Sequence, residues 1–189
     1  MQNKFTELAA AALTKSRLIA CEMGHTYIGT EHLLLGILSV PESAGADMLE
    51  SHAVTFSSTK ALMTELLGQG DETRLGNSDM TPRLRRVIEG SALEAAKYGQ
   101  SLIGTEHLLL AMLSQRDCVA VKVMIAEGAV IGELVADTGA FLLEMSDKKE
   151  KGAKAQTYQA HAAGASALSL YGRDLVEAAK SGRLDPIIG

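Results

Sequence analysis

Glutamate and histidine stand side by side twice in this chain, inside an octapeptide that recurs unchanged. The two copies are Ile28-Gly29-Thr30-Glu31-His32-Leu33-Leu34-Leu35 and Ile103-Gly104-Thr105-Glu106-His107-Leu108-Leu109-Leu110. A carboxylate beside an imidazole can move a proton, ligate a metal or hold a cationic ligand. Metal ligation needs further donors at set spacing, and the sequence holds no His-Glu-x-x-His, no Cys-x-x-Cys and no two Glu-x-x-His motifs to set on facing helices. His32 and His107 recur because the octapeptide recurs, and they are read with His25 as packing or hydrogen-bonding groups beside a helix start. Cys21 and Cys118 have no histidine and acid partner identifiable from sequence, so thiol chemistry is unsupported. No Gly-x-x-x-x-Gly-Lys-Ser/Thr loop is present to cradle a nucleotide phosphate.

The elements that must position these residues follow from the same octapeptide. Gly29 and Gly104 end a loop, and Thr30 and Thr105 are suited to cap a helix by accepting from its unpaired N–H groups. Glu31 and Glu106 then fall in the first turn, where the positive end of the helix dipole favours a carboxylate. Dipole complementation and ligand binding therefore both account for the acids. The leucine triplets that follow are apolar nearly all round, which predicts central helices sharing a single core. The copies are offset by 103 − 28 = 75 residues, and the register carries Thr6, Ser16, Leu18, Ala20 and Gly24 onto Thr81, Ser91, Leu93, Ala95 and Gly99. This is an internal duplication.

Apolar and small residues at 9, 13, 16, 20 and 23 are spaced 4, 3, 4, 3, as are those at 84, 88, 91, 95 and 98. Both sets mark one face of a helix, started at Thr6 or Thr81-Pro82 and stopped at Gly24 or Gly99. Further helices are predicted over 44–51 and 57–67, and over 118–126 and 131–145. The fold class is thus all-α, eight helices in two four-helix repeats with pseudo-twofold symmetry: repeat 1 about 5–70, repeat 2 about 80–145, and a polar Gly-rich loop at 68–79. Residues 146–166 have mixed charge and little periodic apolar content, and read as a flexible linker. The stretch 167–189 ends on Pro186-Ile187-Ile188-Gly189 and reads as the truncated start of a following module.

A net charge of −5 with 4% aromatic residues gives no basic, aromatic-interleaved footprint, so no nucleic acid partner is expected. No apolar run approaches the roughly 18 to 20 residues of a membrane span. With no signal-peptide pattern and cysteines at non-equivalent repeat positions, a cytoplasmic protein without disulfides is expected.

These residues resemble the amino-terminal part of a ClpC-type Clp unfoldase of the AAA+ class. The resemblance is carried by Phe5-Thr6-Glu7, Gly24-His25 and the first octapeptide, by Thr81-Pro82-Arg83, Val87-Ile88-Glu89 and the second, and by Arg173-Asp174-Leu175 with Leu184 to Gly189. It implies a domain, residues 1–145, that receives substrates and adaptor proteins of the MecA type. The parent it implies is a hexameric unfoldase delivering chains to a ClpP-type peptidase in protein degradation and the stress response. No cofactor is implied for this stretch. The resemblance assigns ATP and Mg to the parent's ATPase and implies that Ile187 and Ile188 lie against the adenine there. The chain departs from the family pattern at Ala111, at Ala9 to Ala12, and at 40–43 and 115–117, surface positions among them that an adaptor would read. The contrasting reading is a free-standing helical module that binds a small molecule or a protein.

The resemblance also implies recognition of phosphorylated arginine, one site per repeat, built from the acid of the octapeptide and the start of that repeat's first helix. Glu31 and Glu106 would take the guanidinium. The helix starts, with the hydroxyls of Thr6 and Thr81, would take the phosphoryl group.

Overall fold

The computed structural model describes residues 4 to 148. Seven helices are α1 Glu7–Glu22, α2 Thr30–Leu38, α3 Ala44–Ser51, α4 Phe56–Leu67, α5 Pro82–Lys97, α6 Thr105–Leu113 and α7 Val119–Ala126. An eighth, α8, covers 131–148 of the described residues. It therefore continues three residues into the stretch read as linker; the remainder of that stretch and residues 167–189 lie outside the described residues. Among the described residues there is no strand beyond isolated bridges, and no helix is long and apolar enough to cross a membrane.

Local chemistry sets the helix ends. Thr6 Oγ1 accepts from Ala9 N and Thr81 Oγ1 from Leu84 N, both at 3.2 Å, while Pro82 opens α5 without losing a bond. Gly24 and Gly99 follow α1 and α5 at φ 72° and 64°, the left-handed region that glycine enters without a Cβ penalty. All of α2 is buried, as is all of α6 except Glu106. Leu33, Leu34, Leu35, Leu108 and Leu109 have no exposed surface. At about 1.5–3 kcal/mol per fully buried side chain, these leucines dominate the core. The other helices enclose α2 and α6 as one shared core.

The two repeats interlock at their starts. The segment before α1 lies parallel to the segment before α6, with Thr6 N donating to Ile103 O at 2.9 Å and Ile103 N to Lys4 O at 2.8 Å. In the mirror arrangement Ile28 N donates to Asp79 O and Thr81 N to Ile28 O, both at 2.9 Å. The predicted loop at 68–79 is also more ordered than its composition suggests. Gly70 N donates to Met23 O and Thr73 N to Cys21 O, and a 3-10 turn occupies Asn77–Asp79.

The first and second helices of each repeat approach through small residues, arranged differently in the two copies. In repeat 1, a Cβ on Gly36 would collide with the Ala12 carbonyl and lie 2.9 Å from Ser16 Cβ. In repeat 2 the equivalent residue is Ala111, and the glycine is across the contact: a Cβ on Gly90 would sit 3.6 Å from Ala111 Cβ. Gly36→Ala is therefore expected to destabilise the domain by about 1–3 kcal/mol through overpacking, even though alanine is the better helix former. A urea midpoint equal to or above that of the wild type would contradict this close approach.

Candidate functional site: paired clusters of helix starts

Each octapeptide opens a helix beside the starts of two others. Glu106 opens α6, and the start of α1 is held beside it by the Thr6–Ile103 bridge. The start of α3 arrives through Gly45 N, which donates to Thr105 Oγ1 at 3.0 Å. Glu31 opens α2, next to the start of α5 through the Ile28–Met80 bridge and the start of α7 through Ala120 N, 3.4 Å from Thr30 Oγ1. The aligned dipoles of neighbouring helix starts make such a place electropositive.

The resemblance implies a pairing of each acid with the first helix of its own repeat. The structure crosses them: Thr6 belongs with Glu106 and Thr81 with Glu31. The physical reason is the parallel bridge, which joins each repeat's leading segment to the other repeat's octapeptide. The threonines are corrected as well. Gly29 and Gly104 occupy the N-cap positions and Thr30 and Thr105 are the first helical residues. Their hydroxyls accept from the opposite repeat and donate to the following carboxylate, at 3.3 Å for Thr30–Glu31 and 3.4 Å for Thr105–Glu106. Capping falls to the histidines, since Gly29 N donates to His32 Nδ1 and Gly104 N to His107 Nδ1, each at 2.9 Å.

The glycines of the motif make room for the acids. A Cβ on Gly29 or Gly104 would fall on the carboxylate of Glu31 or Glu106, which folds back over its own helix start. Identical octapeptides nonetheless give different environments. The Glu31 side chain is 3% exposed and that of Glu106 is 14% exposed. Burial pushes the Glu31 carboxyl above its usual range, and its own backbone N–H, the Thr30 hydroxyl and His25 only partly oppose this. The Tyr27 phenol is raised too, first by burial and then by the Glu31 charge. Tyr27 and His25, which stack with ring centroids 5.9 Å apart, correspond to Leu102 and Gln100 in repeat 2.

The histidines differ accordingly. Because His32 Nδ1 accepts from Gly29, its proton resides on Nε2, which faces His25 Nδ1 at 2.7 Å; His25 Nε2 then donates to Gly68 O at 3.3 Å. His107 has the same cap bond, but its buried Nε2 has no partner. Burial holds the imidazole pKa low in both, to about 3 in His32.

One feature escaped sequence reading. A hollow of about 730 Å³ in repeat 2 lies among α5, α6, α7 and α8, with Leu110, Val121, Ile125 and Val135 in its lining. Ile125 and Val135 are 56% and 40% exposed, more than core packing requires. The signal was available as apolar residues on α7 and α8 that exceed one helix face.

Known proteins share this arrangement. The family described as the Clp repeat (R) N-terminal domain matches residues 4–127. The chaperone protein ClpB of Oceanobacillus iheyensis is 34% identical over 189 residues, 100% of this chain and 23% of that protein. ClpC, the ATP-binding subunit of an ATP-dependent Clp protease of Staphylococcus aureus, is 35% identical over 188 residues, 98% of this chain and 22% of that one. The chain thus spans about a quarter of these relatives' length. Among solved structures, the N-terminal domain of ClpD from Arabidopsis thaliana superposes with TM-score 0.61 at 22% identity, covering 74% of this chain and 94% of that one. The ClpV N-domain in complex with a VipB peptide gives 0.56 at 19% identity, covering 75% and 88%. The duplicated octapeptide, the interlocked four-helix repeats and these matches lead to one assignment: the chain belongs to the Clp N-terminal domain family.

Proposed function

We propose that this chain is the substrate- and adaptor-receiving domain of an ATP-dependent Clp unfoldase, and that its two helix-start clusters each bind a phosphorylated arginine. The observation that carries the reading is a carboxylate at a helix start with two further helix starts held against the same octapeptide, twice. A phosphoarginine side chain joins a phosphoryl dianion to a guanidinium, so its receptor needs N–H donors at one end and a carboxylate at the other. Thr6 with Glu106, and Thr81 with Glu31, bring those two requirements to each cluster. Keeping Glu31 ionised while buried costs folding free energy, and a binding role gives a reason for that cost. The peptide-bound ClpV N-domain supports a peptide-receiving role. The match to ClpC over 188 residues, well past residue 127, favours the unfoldase over a free-standing module.

In the proposed parent, the stretch after α8, up to residue 166, tethers the domain to an ATPase that uses ATP and Mg, with Ile187 and Ile188 against the adenine. The parent hexamer passes substrates to a ClpP-type peptidase in the cytoplasm, and MecA-like proteins are the proposed adaptors. The test is calorimetric titration of the 189-residue chain with free phosphoarginine. Glu106, the more exposed acid, is expected to form the tighter site. Glu106→Ala or Glu31→Ala should remove a charge-assisted pair worth about 1.5–3 kcal/mol, a loss of roughly ten- to a hundredfold in affinity at its own site. If the double variant keeps its helical circular dichroism and binds like the wild type, the carboxylates serve only the helix dipoles.

A further inference from the structure

Repeat 2 carries a concentration of arginine that the duplicated unit does not explain. Arg83 and Arg86, one turn apart on α5, and Arg116 in the α6–α7 connection line an open hollow of about 420 Å³ with Ser114, Gln115 and Asp117. All three arginines are exposed. Among the described residues none of these three guanidinium groups forms an ion pair, and Asp117 is the one carboxylate in the lining. Arg83 is held in place, donating to the Asp117 carbonyl, while Gln115 Nε2 donates to Arg83 O at 3.4 Å. Arg85, beside them in sequence, donates to Ser78 O at 2.7 Å. In register, repeat 1 has Leu8, Ala10, Ala11 and Pro41 at the positions of Arg83, Arg85, Arg86 and Arg116. A cationic corner has thus been built on one copy only, in a chain of net charge −5.

We infer that this corner docks an acidic segment of a partner protein, with glutamate or aspartate side chains on Arg83, Arg86 and Arg116 and an adjoining apolar residue in the neighbouring hollow. Guanidinium forks match carboxylates in bidentate geometry, and several of them along a helix turn and a facing loop suit carboxylates in series. The apolar hollow supplies the second argument. It shares Ser114 and Arg116 with the arginine corner and presents Ile125 and Val135 beyond them. A peptide can offer acid and apolar side chains in sequence. A nucleic acid would find no aromatic side chain in the corner to stack on and an overall negative domain to approach. The inference rests on the reading of the domain as a receiver of partner proteins, and it is independent of phosphoarginine.

The test is fluorescence anisotropy with a labelled twelve-residue probe carrying four glutamates followed by two leucines, titrated with the 189-residue chain at low salt. Binding is expected for the wild type, with at least a tenfold loss in Arg86→Gln/Arg116→Gln and no change in Arg74→Gln, an exposure-matched charge control away from the corner. Glu31→Ala/Glu106→Ala should bind the probe normally, which separates this surface from the phosphoarginine clusters. Replacing the leucines by serine should weaken binding further. The inference fails if the wild type does not bind, if Arg86→Gln/Arg116→Gln binds as well as the wild type, or if Arg74→Gln loses as much. It also fails if a single-stranded oligonucleotide or an anionic lipid vesicle takes the same arginines more tightly than the peptide.

Discussion

Residues 1–72 made as a separate chain are expected to lack cooperative unfolding, whereas residues 1–148 unfold in one transition. The half would keep α1 to α4 and lose what closes them. Ile28 would have no Asp79 and Thr81 to bridge, Thr30 no Ala120, and Thr59 Oγ1 no Glu127 carboxylate, now 2.8 Å away. His52 would lose Asp137, 3.0 Å from it, and Thr6 would lose Ile103. The larger loss is apolar. α2 is buried on every side, and its contacts with α5, α6 and α7 would be replaced by water. Re-exposing even three leucines costs about 5–9 kcal/mol, comparable to the roughly 5–15 kcal/mol by which whole domains are stable. Near-ultraviolet circular dichroism and thermal melting decide it: a sharp melt of the half at the midpoint of residues 1–148 would mean that each repeat has its own core.

Acid should weaken the domain well before its carboxylates titrate. His32 is neutral and buried, with its pKa lowered from 6.5 to about 3 by burial first and by His25 second. Between those values the unfolded chain takes up a proton that the folded one refuses. The stabilisation is therefore complete above pH 6.5 and is lost as pH falls toward 3. At pH 5 the loss from this one residue is about 2 kcal/mol. The hydrogen-bond chain explains why the fold cannot adapt. Gly29 N–H occupies His32 Nδ1, His32 Nε2–H donates to His25, and His25 donates to Gly68, so an added proton must break one link. The other titratable groups at this cluster are Tyr27, whose ring is 5.8 Å from His32, and Glu31. Glu31 acts in the opposite sense. Its raised folded pKa means that protonation relieves a cost, so stability gains from it as pH falls through the carboxylate range. The histidine effect is cleanest between pH 6.5 and 5, and His107, also lowered by burial, adds to it. Urea midpoints that stay level from pH 7 to pH 5 would refute it.

Much of this molecule was legible in its sequence, and the reason is periodicity. The 75-residue register located both α2-type helices, the 4-3 spacing located the buried faces of α1 and α5, and Thr6 and Thr81-Pro82 fixed their starts. Adjacency was harder to read. A repeat shows which residues are equivalent and does not show which ones touch, so the crossing of Thr6 to Glu106 and Thr81 to Glu31 could not be read from identity between copies. The unequal burial of Glu31 and Glu106 was hidden for a related cause. Their octapeptides are the same, and the difference comes from Tyr27 and His25 against Leu102 and Gln100. The arginine corner combines two segments about thirty residues apart, neither basic enough to stand out from a chain of net negative charge.

The crossed pairing also sets a schedule for biosynthesis. Thr30 meets Ala120 across 90 residues of sequence, and Thr105 meets Gly45 across 60. At the usual ribosomal rate of roughly 5–20 residues per second, the first octapeptide waits about 5 to 20 seconds for its partner segment to be made. During that interval the apolar surface of α2 has no complete shelter. The nascent chain is thus exposed to aggregation for longest in the segment that becomes the centre of the finished domain, and a slower translation rate across residues 39–118 would lengthen that exposure.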